Sequence, residues 1–200
     1  MTNQINTTKN IMIVGVGGQG TLLASKVLGK LLVNRGLDVK VSEVHGMSQR
    51  GGSVVTYVRF GQKVYSPIID VGEADFILAF ELLEAARWSR WLKSGGRLIA
   101  NTQKIDPMPV ITGATSYPEG IVEEFQKEGF NFDGFDALSL AMEAGSPKAV
   151  NMVLLGRLSW YFDFSDEEVF SVLEETVPKA FLELNRRAYT LGKNNYGKVL

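Results

Sequence analysis

The segment Glu43-Val44-His45-Gly46-Met47-Ser48-Gln49-Arg50-Gly51-Gly52-Ser53 gathers polar side chains and bare backbone behind a predicted strand, and it holds the only histidine of the chain. Such a stretch supplies donors and open amides rather than apolar area, so it belongs on a surface that touches something polar. Arg50 can grip a phosphate or carboxylate with its forked guanidinium, Ser48 and Gln49 can add neutral hydrogen bonds, and Gly51-Gly52 leave backbone amides open as an anion nest. His45 titrates near 6.5 when unperturbed, which suits proton transfer, although a lone histidine is more often a hydrogen-bonded structural residue. No residue of the chain is assigned a catalytic role; His45 is the one candidate.

A second glycine segment, Gly15-Val16-Gly17-Gly18-Gln19-Gly20, sits between the first predicted strand and the first predicted helix. A dinucleotide fingerprint would sit there. On that reading Gly15 permits a tight turn, Gly17 lets backbone approach a phosphate, Gly20 allows close helix packing, and Glu43 at the end of the second strand reaches a ribose. Two other readings stand beside it: the glycines only turn the chain from strand to helix, or they form a subunit contact. The dehydrogenase version lacks a hydride-handling constellation.

The balance of 21 Lys plus Arg against 22 Asp plus Glu gives no basic footprint for nucleic acid and no polybasic membrane patch. There is no cysteine, which removes disulfides, thiolate zinc, cysteine nucleophiles and cysteine-ligated iron–sulfur clusters from what the chain does alone. The polar N-terminus has no apolar core of signal-peptide length, and no run approaches the roughly 18 apolar residues of a spanning helix. The expectation is a soluble cytoplasmic protein.

These loops need a scaffold, and the hydrophobic pattern supplies one. With residues 1–9 expected to be flexible, Ile11–Val16 reads as a strand covered on both faces, and Leu23, Val27 and Leu31 mark a helix from Thr21 to a stop at Gly36. Val39–Val44 completes a strand, helix, strand unit with parallel strands and a right-handed crossover. Ser53–Phe60 and Val64-Tyr65, separated by Gly61-Gln62-Lys63, predict a hairpin. Asp75–Phe80 and Arg97–Asn101 predict two more buried strands, flanking a helix over Leu82–Leu92 that ends at Gly95-Gly96. A short helix is expected around Glu119–Glu128. Ser146-Pro147 caps an apolar helix through Trp160, Ser165 to Glu168 fits a capping box, and Pro178 starts a helix through Tyr189. The fold class expected is α/β: a three-layer α/β/α single domain over 1–200, with a mixed, mainly parallel sheet and a C-terminal helical segment.

The glycine turn, the Glu43–Gly52 segment and Tyr65-Ser66-Pro67-Ile68-Ile69 together resemble the gamma-type subunit or domain of 2-oxoacid:ferredoxin oxidoreductases, nearest to the small (beta) subunit of the indolepyruvate enzymes. The likeness continues in order through Glu73-Ala74-Asp75, Ala79-Phe80-Glu81, Asn151 with Leu155-Gly156, and Pro178-Lys179-Ala180. It implies a large (alpha) catalytic subunit as partner, carrying thiamine diphosphate, magnesium and 4Fe-4S clusters. That subunit would decarboxylate an arylpyruvate oxidatively to an acyl-CoA, with coenzyme A as co-substrate and ferredoxin as electron acceptor. The chain itself binds no cofactor on this reading; Gly72-Glu73-Ala74-Asp75 is not a thiamine diphosphate motif.

The resemblance makes the loop His45, Ser48, Gln49, Arg50, Gly51 and Gly52 a substrate-, CoA- or partner-facing one. Arg50 has three readings: an intersubunit salt bridge, a substrate or CoA contact, or a solvated charge. Plainer readings are preferred elsewhere. Tyr65-Ser66-Pro67 is a strand end with a rigid exit, Glu81 and Glu84 stabilise a first helical turn, and Asn151 ties a helix to a loop. Trp88 and Trp91 share a face, as an interface anchor or as core. Two functions of other classes remain beside the accessory subunit: a free-standing Rossmann-like NAD-binding oxidoreductase or regulator, and a purely structural interaction module.

Overall fold

The computed structural model describes residues 7–44 and 51–195. Strands form at Lys9–Val16 (β1), Asp38–Val44 (β2), Ser53–Gly61 (β3), Ala74–Ala79 (β4), Leu92–Asn101 (β5) and Asn131–Phe135 (β6). They join one sheet in the order β2-β3-β1-β4-β5-β6. The β1–β4, β4–β5 and β5–β6 ladders are parallel, and β3 is antiparallel to both β1 and β2.

The first strand shows why the sheet lies between two layers. Ile11 and Ile13 point into one apolar cluster and Met12 and Val14 into another, all fully buried. A strand reads as a continuous apolar run when both faces are covered. The first cluster is closed by helices at Thr21–Asn34 (α1), Ala137–Ala144 (α5), Val150–Ser159 (α6), Asp166–Thr176 (α7) and Leu182–Asn194 (α8). Helices at Leu82–Trp88 (α2) and Ile121–Lys127 (α4) close the second, while Met108–Ile111 (α3) is a single exposed turn. The three-layer α/β/α architecture and the mixed, mainly parallel sheet are as expected.

Several boundaries obey the signals read from the sequence. Ser165 accepts from the Glu168 amide while the Glu168 side chain accepts from the Ser165 amide, so the capping box is complete. Gly36 adopts φ +79° just past α1, a left-handed stop that suits glycine. Ser146 caps the Lys148 amide at 3.3 Å, and every residue of α6 is buried. Pro178 precedes a 3-10 turn at Lys179–Phe181, after which α8 continues to Asn194, beyond the expected Tyr189.

Four expectations are corrected. The hairpin does not form: Val64 and Tyr65 lie outside any strand, because β3 already has β1 on one edge and β2 on the other, leaving no edge for a third strand. The same insertion separates β1 from β2, which run the same way but are not neighbours. The helix expected to reach Leu92 stops at Trp88 and passes through a 3-10 turn at Ser89–Trp91 into β5. Gly95-Gly96 lies inside β5 rather than at a helix end. The β4–β5 register shifts there, Gly95 takes φ +73°, and a Cβ on Gly96 would stand 3.0 Å from the Ala74 carbonyl oxygen. Glycines at a bulge under close backbone approach read, in sequence, like a helix stop. Lys9, expected in a flexible tail, already pairs with Phe60.

α6 also carries a fully buried guanidinium. Arg157 grips Asp133 of β6 through two nitrogens, at 2.7–3.1 Å, and Tyr161 donates to the same carboxylate at 3.2 Å. A bidentate pair of this kind sets the registration of helix against strand.

Candidate functional site

β1 and β4 are parallel neighbours, yet the helices that follow them lie on opposite faces of the sheet, α1 in one cluster and α2 in the other. The carboxyl ends of two such strands leave a crevice, the position at which open α/β sheets place ligands. Three segments converge there: the glycine turn leaving β1, Phe80-Glu81 leaving β4, and the arm Gly51–Ser53 entering antiparallel β3, whose first residue pairs with Val16.

The glycine turn spends its polar groups on protein. The Gln19 side chain folds back into the turn, where its Oε1 accepts from the Val16 amide at 2.7 Å and its Nε2 donates to the Phe80 carbonyl at 3.0 Å. Asn101, at the end of β5, donates to the same carbonyl at 3.2 Å. A Cβ on Gly15 would lie 2.9 Å from both Gln19 Oε1 and Phe80 Cβ. Gly15 therefore serves this close approach and not a tight turn. Gly17 donates its amide to the Gly52 carbonyl at 2.8 Å and accepts from the Gly51 amide at 3.3 Å. The backbone that would approach a phosphate on the dinucleotide reading is paired with the second glycine segment. Gly18, at φ +101°, faces open space, and Gly20, at φ +83°, precedes α1 with its carbonyl accepting from Asn151 Nδ2 at 3.3 Å. Asn151 thus ties helix to loop, as its place in an apolar helix predicts, and a Cβ on Gly20 would collide with it.

Glu43 is not brought to this crevice. β3 intervenes, so β2 stands two strand spacings from β1, roughly 10 Å. Glu43 lies instead along a shallow groove beside Leu22, Lys26 and Val41 and accepts from Ser25 Oγ at 3.4 Å. A dinucleotide fold needs that acidic residue on the strand beside the glycine turn. His45, Ser48, Gln49 and Arg50 lie outside the described residues. Gly51 is exposed with φ +82°, and the clasp to Gly17 brings the two glycine segments together.

Glu81 and Glu84 do more than stabilise a first helical turn. Both are almost wholly buried. Glu81 caps α2 by accepting from the Glu84 amide at 2.8 Å, and its other oxygen accepts from the Ile105 amide at 3.1 Å and the Tyr117 hydroxyl at 2.5 Å. Burial, with the bond to Glu81, pushes the Tyr117 phenol upward, so it remains a donor. Glu84 accepts from Ser53 Oγ at 2.5 Å, from Arg87 at 2.5 Å and from Trp88 Nε1 at 3.3 Å. The capping role is legible in a Glu-x-x-Glu spacing; the contact to Ser53 joins residues far apart in sequence. Trp88 also packs on Trp91, with ring centroids 4.6 Å apart, both only partly buried against the second cluster.

Neither nucleophile–base pairing nor metal chemistry emerges from these contacts. Among the described residues no group of three His, Cys, Asp or Glu is placed to hold a metal. The described residues do not fit thiamine diphosphate with magnesium, or an iron–sulfur cluster. The chain has no cysteine, and Asp75 of Gly72–Asp75 accepts from the Asn10 amide and pairs with Lys9 and Lys93. Ser66 accepts from the Ile68 amide in a local turn. No described helix is long and apolar enough to cross a membrane.

Comparison with known proteins identifies the family. The family model described as pyruvate ferredoxin/flavodoxin oxidoreductase matches residues 10–194. An indolepyruvate oxidoreductase subunit IorB of Thermococcus kodakarensis is 46% identical over 190 residues, covering 92% of this chain and 93% of that protein. The Methanothermobacter thermautotrophicus protein of the same name is 36% identical, covering 92% and 95%. Among solved structures, the gamma subunit of a keto/oxoacid ferredoxin oxidoreductase from Geobacter sulfurreducens superposes with TM-score 0.68 at 24% identity, covering 93% of this chain and 96% of that one. A 2-oxoglutarate:ferredoxin oxidoreductase from Magnetococcus marinus superposes with TM-score 0.75 at 22% identity, over 98% of this chain and 32% of that one. At these identities the structural likenesses speak to the fold. The chain belongs to the pyruvate ferredoxin/flavodoxin oxidoreductase family.

Proposed function

We propose that this chain is the cofactor-free small subunit of a cytoplasmic indolepyruvate (arylpyruvate):ferredoxin oxidoreductase. Its large partner would carry thiamine diphosphate, magnesium and 4Fe-4S clusters and would form an aryl-acetyl-CoA, with ferredoxin taking the electrons. The carrying observation is 46% identity over 92% of the chain to a protein named as an indolepyruvate oxidoreductase subunit. The absence of any cysteine supports placing the clusters on another polypeptide.

In this reading the chain forms part of the wall around a site housed in its partner. The segment His45, Ser48, Gln49, Arg50, Gly51 and Gly52 faces that site, with Arg50 supplying a cation for a carboxylate or for a CoA phosphate. The glycine turn, Gly15 to Gly20, is a clasp for this segment rather than a nucleotide loop; both polar groups of Gly17 support that role because they pair with Gly51 and Gly52. The free-standing NAD-binding alternative draws support from the glycine spacing alone.

Reconstitution tests the reading. The large and small chains together are expected to reduce viologen with indolepyruvate and CoA, and Arg50→Ala should raise the KM for CoA or the 2-oxoacid by about tenfold or more, the loss of one charge-assisted bond. A complex indifferent to indolepyruvate, or a small chain that binds NAD saturably, would contradict it.

A further inference from the structure

Resting on the reading that the Gly51–Gly52 side of the crevice faces the reaction, we propose that Glu84 is a positioning residue: its buried carboxylate clamps the Ser53 hydroxyl and so fixes the arm that carries Gly51 and Gly52. Ser53 is the first residue of β3, and the arm before it is held at two points. On one side Gly17 takes the Gly52 carbonyl and the Gly51 amide. On the other, Glu84 takes Ser53 Oγ at 2.5 Å, while Arg87 and Trp88 hold the carboxylate at 2.5 Å and 3.3 Å.

The chemistry of the clamp favours positioning over simple stability. A carboxylate buried to this degree forfeits solvation, and an apolar side chain on α2 would stabilise the layer at least as well. What a carboxylate adds is direction: Glu84 receives donors from α2 and from β3 in one geometry. Gly51, at φ +82°, and Gly52 have no side chains with which to set the arm. Misplacement of a reacting or binding group by about 1 Å can cost about a hundredfold in rate.

The reconstituted complex tests this with Ser53→Ala, which removes the clamped hydroxyl and leaves Glu84 bonded to Arg87 and Trp88, so the buried carboxylate keeps partners. Expected are normal assembly, a melting temperature lowered by no more than several degrees, a fall of about tenfold or more in kcat/KM for indolepyruvate and CoA, and recovery by Ser53→Thr, as for a misaligned site. Glu84→Gln should repeat the kinetic loss. Ser53→Ala turnover within about twofold of wild type, or Ser53→Thr as impaired as Ser53→Ala, overturns the positioning role by the same yardstick. A wild-type complex that ignores indolepyruvate and CoA would instead overturn the functional reading on which the proposal rests.

Discussion

Gln19 shows how a side chain can occupy the place that the nucleotide reading of the glycine turn gave to a ligand. Its amide satisfies Val16 on β1 and Phe80 after β4 at once. Gln19→Ala leaves the Val16 amide without that acceptor, while Phe80 keeps Asn101. A lost partner of this kind costs about 1–3 kcal/mol, and at about 2–4 °C per kcal/mol for a chain of this size, calorimetry should show a melting point several degrees lower. An unchanged melting point would contradict the clasp. A second residue-scale expectation concerns acid. Glu168 is pulled from 4.5 to about 2, chiefly by its hydrogen bond from Arg35. A carboxyl depressed in the folded state stabilises above its unfolded pKa and loses that contribution as pH falls through its folded value. The contribution should fade between pH 4.5 and about 2, and Glu168→Gln should flatten acid unfolding in that window. The pair is partly exposed, so salt should weaken it. The Ser165–Glu168 box was legible because its partners are neighbours in sequence; the Glu84–Ser53 bond was not, because only the tertiary fold makes them neighbours.

At the scale of elements, α6 and α8 cross with their glycines turned toward each other. A Cβ on Gly156 would run into the Tyr189 carbonyl and stand 2.8 Å from the Lys193 amide, and one on Gly192 would meet the Val153 backbone. Backbone cannot yield as a side-chain tip can, so Gly156→Ala or Gly192→Ala should cost about 1–3 kcal/mol or more, measured by denaturant titration. Values under about 0.5 kcal/mol, the range of ordinary surface changes, would deny the close crossing. Arg157→Met should be costlier, about 3–5 kcal/mol, because it strands Asp133 inside. Helices with caps and stripes were readable from local spacing. The missing hairpin and the β5 bulge were not, because both depend on which strand edges are free and how closely β4 approaches, neither of which is a property of the segment itself.

For the whole molecule, β3 inserted between β1 and β2 explains most of what sequence reasoning could not foresee. The glycine spacing resembles a dinucleotide fingerprint, yet strand order, which no local window encodes, moves Glu43 away and brings Gly51-Gly52 to the turn instead. The three-layer class itself was legible, since continuous apolar strands alternate with amphipathic helices. The composition bears on the proposal at the same scale: without cysteine the chain offers no thiolate to an iron–sulfur cluster. The most direct measurement is viologen reduction with indolepyruvate and CoA by the purified chain, alone and after mixing with the proposed large subunit. The chain alone should give no turnover and the mixture should be active; sustained turnover by the isolated chain would contradict the account.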